Sequence, residues 1–389
     1  MPCGEALRLF ADGIAGGDLV FDRLSYVYVI GACARSRTAL WEGKEVHCRV
    51  LKIGLGYDVV VGTTCIHFYG SHGDCGSARK MFDEMGDRRT SATWNAMISG
   101  YCSQKKGSEY FAHAALKLFC GMLRCGNNGV NPNDTTMVSV LSACARIGDL
   151  VTGSCVHGRI EKIVYVPHDV YIGTCLVDMY SKCGCLKSAL VVFNRMKMKN
   201  ILTWTSMISG LALHGQGKSV LNILEAMQVT NIRPNAVTFT SLLFACGHAG
   251  LVNEGLVLFY SMGSRFGVTP NIQHYGCIVD LLGRAGRLQE AYNFVIEMPL
   301  QPDKILWRSL LAACKIHGNS TMGEKVGKHL LQLQEESGTV DTVSRCEDFI
   351  ALSNVYASTG RWKDLEMVRE KMKDKCIQAE PGYSSVQLV

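Results

Sequence analysis

Several stretches of this 389-residue chain place chemistry-bearing residues at suggestive spacing. Gly215-Gln216-Gly217-Lys218-Ser219 resembles the end of a phosphate-binding loop, in which backbone amides and a lysine cradle phosphate oxygens. The leading glycine of that motif would fall at Ala212, and no strand precedes it, so a turn between two helices is the better reading. Cys183-Gly184-Cys185, with Cys120 and Cys125, offers soft sulfur ligands. Zinc sites need a C-x-x-C pair and a second ligand half, and neither is present. His214, His248 and His317 stand at or just before glycine turns, where a histidine can meet the last carbonyls of a helix. No Ser-His-Asp triad or carboxylate pair stands out by local spacing. The chain is therefore read as a non-enzyme with no catalytic residue, metal or cofactor.

The elements that position these residues show themselves by recurrence, which has to be settled before any motif is believed. Thr93-Trp94-Asn95-Ala96-Met97-Ile98-Ser99-Gly100 returns as Thr203-Trp204-Thr205-Ser206-Met207-Ile208-Ser209-Gly210, with a weaker copy at Trp307. Ala32-Cys33-Ala34-Arg35 returns as Ala143-Cys144-Ala145-Arg146 and then as Ala245-Cys246-Gly247-His248. Val61-Gly62-Thr63-Thr64-Cys65 returns as Ile172-Gly173-Thr174-Cys175-Leu176. Three distinct elements thus cycle together, in units of roughly 31 to 36 residues, the range expected of helix-pair repeats. Insertions around Lys105 to Tyr110 and Cys125 to Gly129 lengthen one unit.

Each unit reads as two amphipathic helices. Residues 93–103 form a first apolar segment, and Ala115, Leu118 and Phe119 lie at helical spacing in a second. One such pair cannot bury its own apolar face, but stacked pairs share a continuous core. The expected fold is all-α, a right-handed superhelical solenoid of helix-turn-helix repeats of the tetratricopeptide-like kind. A peptide-binding tetratricopeptide array would carry an early Leu-Gly, which is missing here.

Composition fits that reading. Hydrophobic residues make up 48% and charged residues 19%, ample for a packed core. Forty basic and 34 acidic residues give a net charge of +6, which permits a nucleic-acid partner without requiring one. Most of the eighteen cysteines sit in apolar runs and should behave as small buried hydrophobes in a reducing compartment. The uncharged run 234–253 contains Pro234, Asn235, His248 and Asn253 and falls in register with the repeats, so it is not read as a membrane span. Residues 1–23 carry Glu5, Asp12, Asp18 and Asp22 and no serine, unlike an organelle transit peptide. Either an address is absent or the chain starts downstream of it.

The rotation of three variants resembles the P, L and S repeats of plant pentatricopeptide-repeat proteins. By that resemblance, residues 1–23 are the tail of a P-type repeat. L-, S- and P-type repeats span 24–58, 59–90 and 91–134, then 135–169, 170–200 and 201–236. An L- and S-type pair covers 237–271 and 272–303. Residues 304–389 resemble the E region that caps the editing-factor subgroup. The motifs that carry this are Leu306-Trp307-Arg308-Ser309-Leu310-Leu311-Ala312-Ala313-Cys314, Ala351-Leu352-Ser353-Asn354-Val355-Tyr356-Ala357 and Glu380-Pro381-Gly382-Tyr383-Ser384. Ser385 departs from the tryptophan usual there. The cytidine-deaminase-like DYW domain that often follows has the signature H-x-E with P-C-x-x-C, and the chain contains neither.

The resemblance implies a function: an organelle factor, in mitochondrion or chloroplast, that binds single-stranded RNA one base per repeat. It would act as a monomer with no membrane partner. It would guide C-to-U editing by recruiting in trans a deaminase-bearing protein or editing cofactor docked on the E region. The rival readings are support of splicing, stability or translation, and a protein-interaction scaffold without RNA. In the family, the fifth residue of the first helix and the last residue of the repeat specify the base. So mapped, Asn95 with Asp134 resembles a uridine reader, and Thr174 with Asn200 an adenine reader. Thr205 pairs with Ala236, which has no polar side chain, and Thr63 with Thr90. Ser139/Asp169 and Ser241/Asn271 are the weaker L-type pairs, and Gly276/Asp303 should read little. Asn, Thr and Asp at a helix start are also good N-caps, so each position has a structural role to weigh against recognition.

Overall fold

The structure, a computed structural model, describes residues 3–15, 21–36, 38–105, 107–125, 129–163, 169–336 and 342–374. The chain divides into two compact units, Met1–Lys199 and Asn200–Val389. The first unit runs α1 (Cys3–Ala15), α2 (Arg23–Arg35), α3 (Leu40–Lys52), α4 (Val59–Ser71), α5 (Cys75–Glu84), α6 (Ser91–Cys102), α7 (Ser108–Arg124), α8 (Asp134–Ile147), α9 (Leu150–Ile163), α10 (Val170–Lys182) and α11 (Leu186–Arg195). The second runs α12 (Ile201–Leu213), α13 (Gly217–Val229), α14 (Ala236–Ala249), α15 (Val252–Phe266), α16 (Ile272–Arg284), α17 (Leu288–Glu297), α18 (Lys304–Ile316), α19 (Ser320–Glu336), α20 (Thr342–Ser358) and α21 (Trp362–Asp374). Among the described residues there is no β-strand. The fold class is the all-α helical-repeat solenoid.

Within each unit every first helix packs on its own second helix and on the first helix of the next repeat, as α4 does on α5 and α6, and α14 on α15 and α16. The fourth residue of the first helix anchors this packing. Trp94, Trp204 and Trp307 are all buried. Trp94 meets Phe82 of the preceding helix edge-on at 4.8 Å, a favoured aromatic geometry. Its ring also lies over Gly121 of α7, where a Cβ would come within 3.2 Å of it. Cys33, Cys65, Cys144, Cys246 and Cys314 are fully buried. Burial pushes Cys65 and Cys144 up to about 12, so they serve as packing groups rather than nucleophiles.

The chemistry-like motifs resolve into helix punctuation. Gly215 takes φ 67° in the turn between α12 and α13, a conformation that favours glycine, and a helix precedes it where a phosphate loop would have a strand. Gly217 opens α13 against Ala249, leaving no room for a side chain, since a Cβ there would lie 2.4 Å from that of Ala249. His214 and His317 are C-cap residues of α12 and α18, and His248 lies in the last turn of α14. Among the described residues no helix is long and apolar enough to cross a membrane.

Candidate functional site

The starts of the first helices are built alike. Each is preceded by a polar residue whose side chain accepts the amide of the third helical residue: Asp22, Asp58, Thr90 and Asn133 in the first unit, and Asn200, Asn235, Asn271 and Asp303 in the second. Asp169 does the same to the second residue, Tyr171. These are N-caps, which satisfy otherwise orphaned amides. Where the third residue is polar, its side chain reaches back to the cap, closing a capping box at Thr90/Thr93, Asn133/Thr136, Asn200/Thr203, Asn235/Thr238 and Asn271/His274. Burial pushes the carboxyl of Asp58 up, but the Val61 amide, Arg23 and the Val60 amide more than offset this and hold it below the usual carboxylate range.

The cap or the third residue of one first helix meets the fifth residue of the first helix before it. Asn95 Nδ2 donates to Asn133 Oδ1 at 2.8 Å, and Thr136 Oγ1 donates to Asn95 Oδ1 at 2.5 Å. Thr63 and Thr93 share a hydroxyl bond of 2.9 Å, and Thr90 lies 3.1 Å from the same Thr93 oxygen. In the second unit Thr205 and Thr238 hydroxyls lie 2.8 Å apart, and Thr238 donates to Asn235 at 3.0 Å. Asn95 and Thr205 are each 9% exposed, so these polar groups are tucked at the groove floor rather than splayed into solvent.

This geometry shifts one member in each of four mapped pairs. Asp134 is exposed and is the first residue of α8, one past the cap; Asn133, not Asp134, contacts Asn95. Ala236 is likewise the first residue of α14, and Asn235 is the cap. Ser139 and Ser241 are the sixth residues of their helices, and the fifth are Val138 and Thr240. The Ser139 carbonyl accepts from Cys102 Sγ, and Ser241 Oγ bonds Ser209 Oγ at 2.7 Å, so both face a neighbouring first helix. Thr63, Thr174 and Gly276 are fifth residues, and Thr90, Asp169, Asn200, Asn271 and Asp303 are caps, as mapped.

A second row was not read from the sequence. The second residue of the first helix is an exposed apolar side chain at Leu24, Val60 and Tyr171 in the first unit and at Leu202, Val237 and Ile305 in the second, each between 45% and 69% exposed. Single exposed apolar residues are ordinary, but the same register repeated beside a polar row forms a surface suited to flat, unpaired rings. The signal was present: an apolar residue two positions after most caps, though not after Asn133 or Asn271, out of phase with the buried fourth residue.

A helix-pair repeat with capped, polar-lined first helices defines a class of protein, and comparison with known proteins gives its family. The sequence pattern of the PPR repeat matches residues 63–89, 92–109, 174–201, 237–265 and 274–300, that of the PPR repeat family matches 199–248, and the E motif matches 317–387. Pentatricopeptide repeat-containing protein At3g18970 of Arabidopsis thaliana is 53% identical over 98% of this chain and 81% of its own length. Two others from that plant, At1g59720, chloroplastic/mitochondrial, and At3g26782, mitochondrial, are 39% identical over 99% of the chain, which spans 59% and 57% of them. The crystal structure of PPR10 with an 18-nt psaJ RNA element superposes with a TM-score of 0.70 over 96% of this chain and 58% of that one, at 17% identity. PPR10 from maize alone gives 0.63, over 96% and 56%, at 16% identity. The chain belongs to the plant pentatricopeptide repeat family and is of its E type.

Proposed function

We propose that this chain binds single-stranded RNA, each repeat offering one base a polar pair, the fifth residue of a first helix and the cap of the next. The observation that supports this most is the Asn95–Asn133 bond; Thr63 and Thr205 reach the caps Thr90 and Asn235 indirectly, through the hydroxyls of Thr93 and Thr238. Amides and hydroxyls match base edges, whereas charges hold phosphate without discrimination. The solved PPR10 complex with RNA lends the reading support by likeness of fold.

Within the units the reading pairs are then Asn95/Asn133, Thr205/Asn235 and Thr63/Thr90, with Thr240/Asn271 in an L-type repeat. Thr205/Asn235 is then the threonine–asparagine combination that resembles an adenine reader, and Asn95 reads with Asn133 rather than Asp134. Repeats bounded by the caps begin at 23, 59, 91, 134, 170, 201, 236 and 272. The exposed apolar second residues stack on base faces.

The E motif supports a role in organelle C-to-U editing, with a deaminase supplied by another protein docked on residues 304–389. The relatives' names place related proteins in chloroplast and mitochondrion. The test is equilibrium binding of the purified chain to a single-stranded RNA pool, the annealed duplex and single-stranded DNA. Binding confined to single strands is expected. Equal affinity for the duplex, or none for any strand, contradicts it.

A further inference from the structure

We infer that the third residue of a first helix, where it is polar, is a positioning residue for base reading, setting the orientation of the reader in the preceding repeat. This rests on the RNA reading above and deepens it. At the step from α6 to α8, Asn95 is held at both ends. Its Nδ2 donates to Asn133 Oδ1, and its Oδ1 accepts the Thr136 hydroxyl. Thr136 is itself fully buried, and its oxygen accepts the Asn133 backbone amide at 3.0 Å. With that lone pair used, the hydroxyl proton points away from the backbone amide, and of the two acceptors in reach Asn95 Oδ1 at 2.5 Å is closer than Asn133 Oδ1 at 3.1 Å. A flipped Asn95 amide would set its oxygen against Asn133 Oδ1, which the Thr136 amide holds as an acceptor at 3.1 Å, and would give up the Thr136 hydroxyl bond. One orientation therefore survives, leaving one N–H and one lone pair of Asn95 for a base.

The pattern extends along the chain. Within each unit, polar fifth residues meet polar third residues: Thr63 meets Thr93, Asn95 meets Thr136 and Thr205 meets Thr238. Thr240 Oγ1 and His274 Nε2 share the Ala236 carbonyl, at 3.0 and 2.8 Å. Fifth residues without a polar side chain face apolar third residues instead. Val27 is matched with Val61, Val138 with Ile172 and Gly276 with Leu306, whose Cδ2 lies 3.9 Å from where a Gly276 Cβ would be. A reader and the residue that orients it thus occur together, or both are missing.

The experiment measures affinities of the full chain for four RNAs differing only at the nucleotide opposite Asn95, for wild type, Asn95→Ala, Thr136→Val and Thr136→Ser. Thr136→Val should flatten the preference among the four bases about as far as Asn95→Ala does, a loss of about tenfold in the ratio. Thr136→Ser, which keeps the hydroxyl, should restore it, and preferences at other nucleotides should stay put. If Asn95→Ala flattens the ratio and Thr136→Val does not, the positioning role is wrong and the RNA reading survives. If Asn95→Ala changes nothing, the reading fails at that position and the inference with it. A uniform loss for all four bases with a lowered Tm marks a purely structural threonine and overturns the proposal. Should Thr136→Val fail to fold, Thr238→Val opposite Thr205 gives the same comparison at a second step.

Discussion

The step from α6 to α8 and the step from α18 to α20 solve one packing problem with different chemistry. In the first, the fifth residue is Asn95, in a neutral network of an amide, a cap and a hydroxyl. In the second, the fifth residue is Arg308, whose guanidinium is bonded to Asp348, 1% exposed, and to Glu347 at 2.9 Å. A net neutral hydrogen bond is worth about 0.5–1.5 kcal/mol, so a base edge can exchange for it at little loss. Removing one partner of a buried ion pair leaves an uncompensated charge and costs about 3–5 kcal/mol. The first arrangement suits a site that opens to a ligand. The second suits a closure, which places the end of the proposed reading row at α18.

The largest effect should follow from Arg308→Ala, which removes the guanidinium from the buried Asp348 carboxylate. Urea unfolding should show a loss of about 3–5 kcal/mol. Base preference opposite Asn95 should be unchanged at temperatures where the variant is folded. A smaller loss belongs to Gly70→Ala. Its Cβ would come within 2.9 Å of the Gly100 Cα, a backbone atom that cannot swing aside. About 1–3 kcal/mol is expected from such overpacking, read by thermal unfolding. Asn235→Ala comes next, at about 1 kcal/mol for a lost N-cap, and it should also weaken adenine preference opposite Thr205. Asp134→Ala, beside the cap Asn133, should do neither, which separates the two registers.

The smallest effect concerns pH. His274 is fully buried, with Nδ1 accepting the Asn271 amide at 3.0 Å and Nε2 donating to the Ala236 carbonyl at 2.8 Å, the neutral tautomer. Burial holds its pKa below 6.5, and the Ala236 contact only partly opposes this; burial also lowers His47. The unfolded chain then binds the proton more readily, so stability is complete above the unfolded value and declines as pH falls below about 6.5. Urea midpoints at pH 7.5 and 5.5 should differ in that direction, and His274→Gln should reduce the difference.

The repeat architecture was legible because its anchors are distinctive: Trp94 and Trp204, or the Ala-Cys-Ala runs, recur with spacing that neither propensity nor chance supplies. The interhelix turns were legible from glycine. The cap register at the ends of the P-type repeats was not. Pro132-Asn133-Asp134 offers two adjacent residues able to cap, and local sequence does not choose between them. Pro234-Asn235-Ala236 held the answer, because alanine cannot cap and Asn235 must. Contacts across long separations stayed hidden for a plainer reason. Arg308 and Asp348 lie 40 residues apart, and Gly70 faces Gly100 only once α4 and α6 are stacked.

The central claim is tested most directly by selecting binders from a randomised single-stranded RNA pool with the wild-type chain and with Asn95→Ala. The wild type should enrich a sequence with one preferred base per polar repeat step, and the variant should lose that preference at a single nucleotide. Enrichment with no positional preference, or a variant whose selected sequence matches the wild type's, would contradict the account.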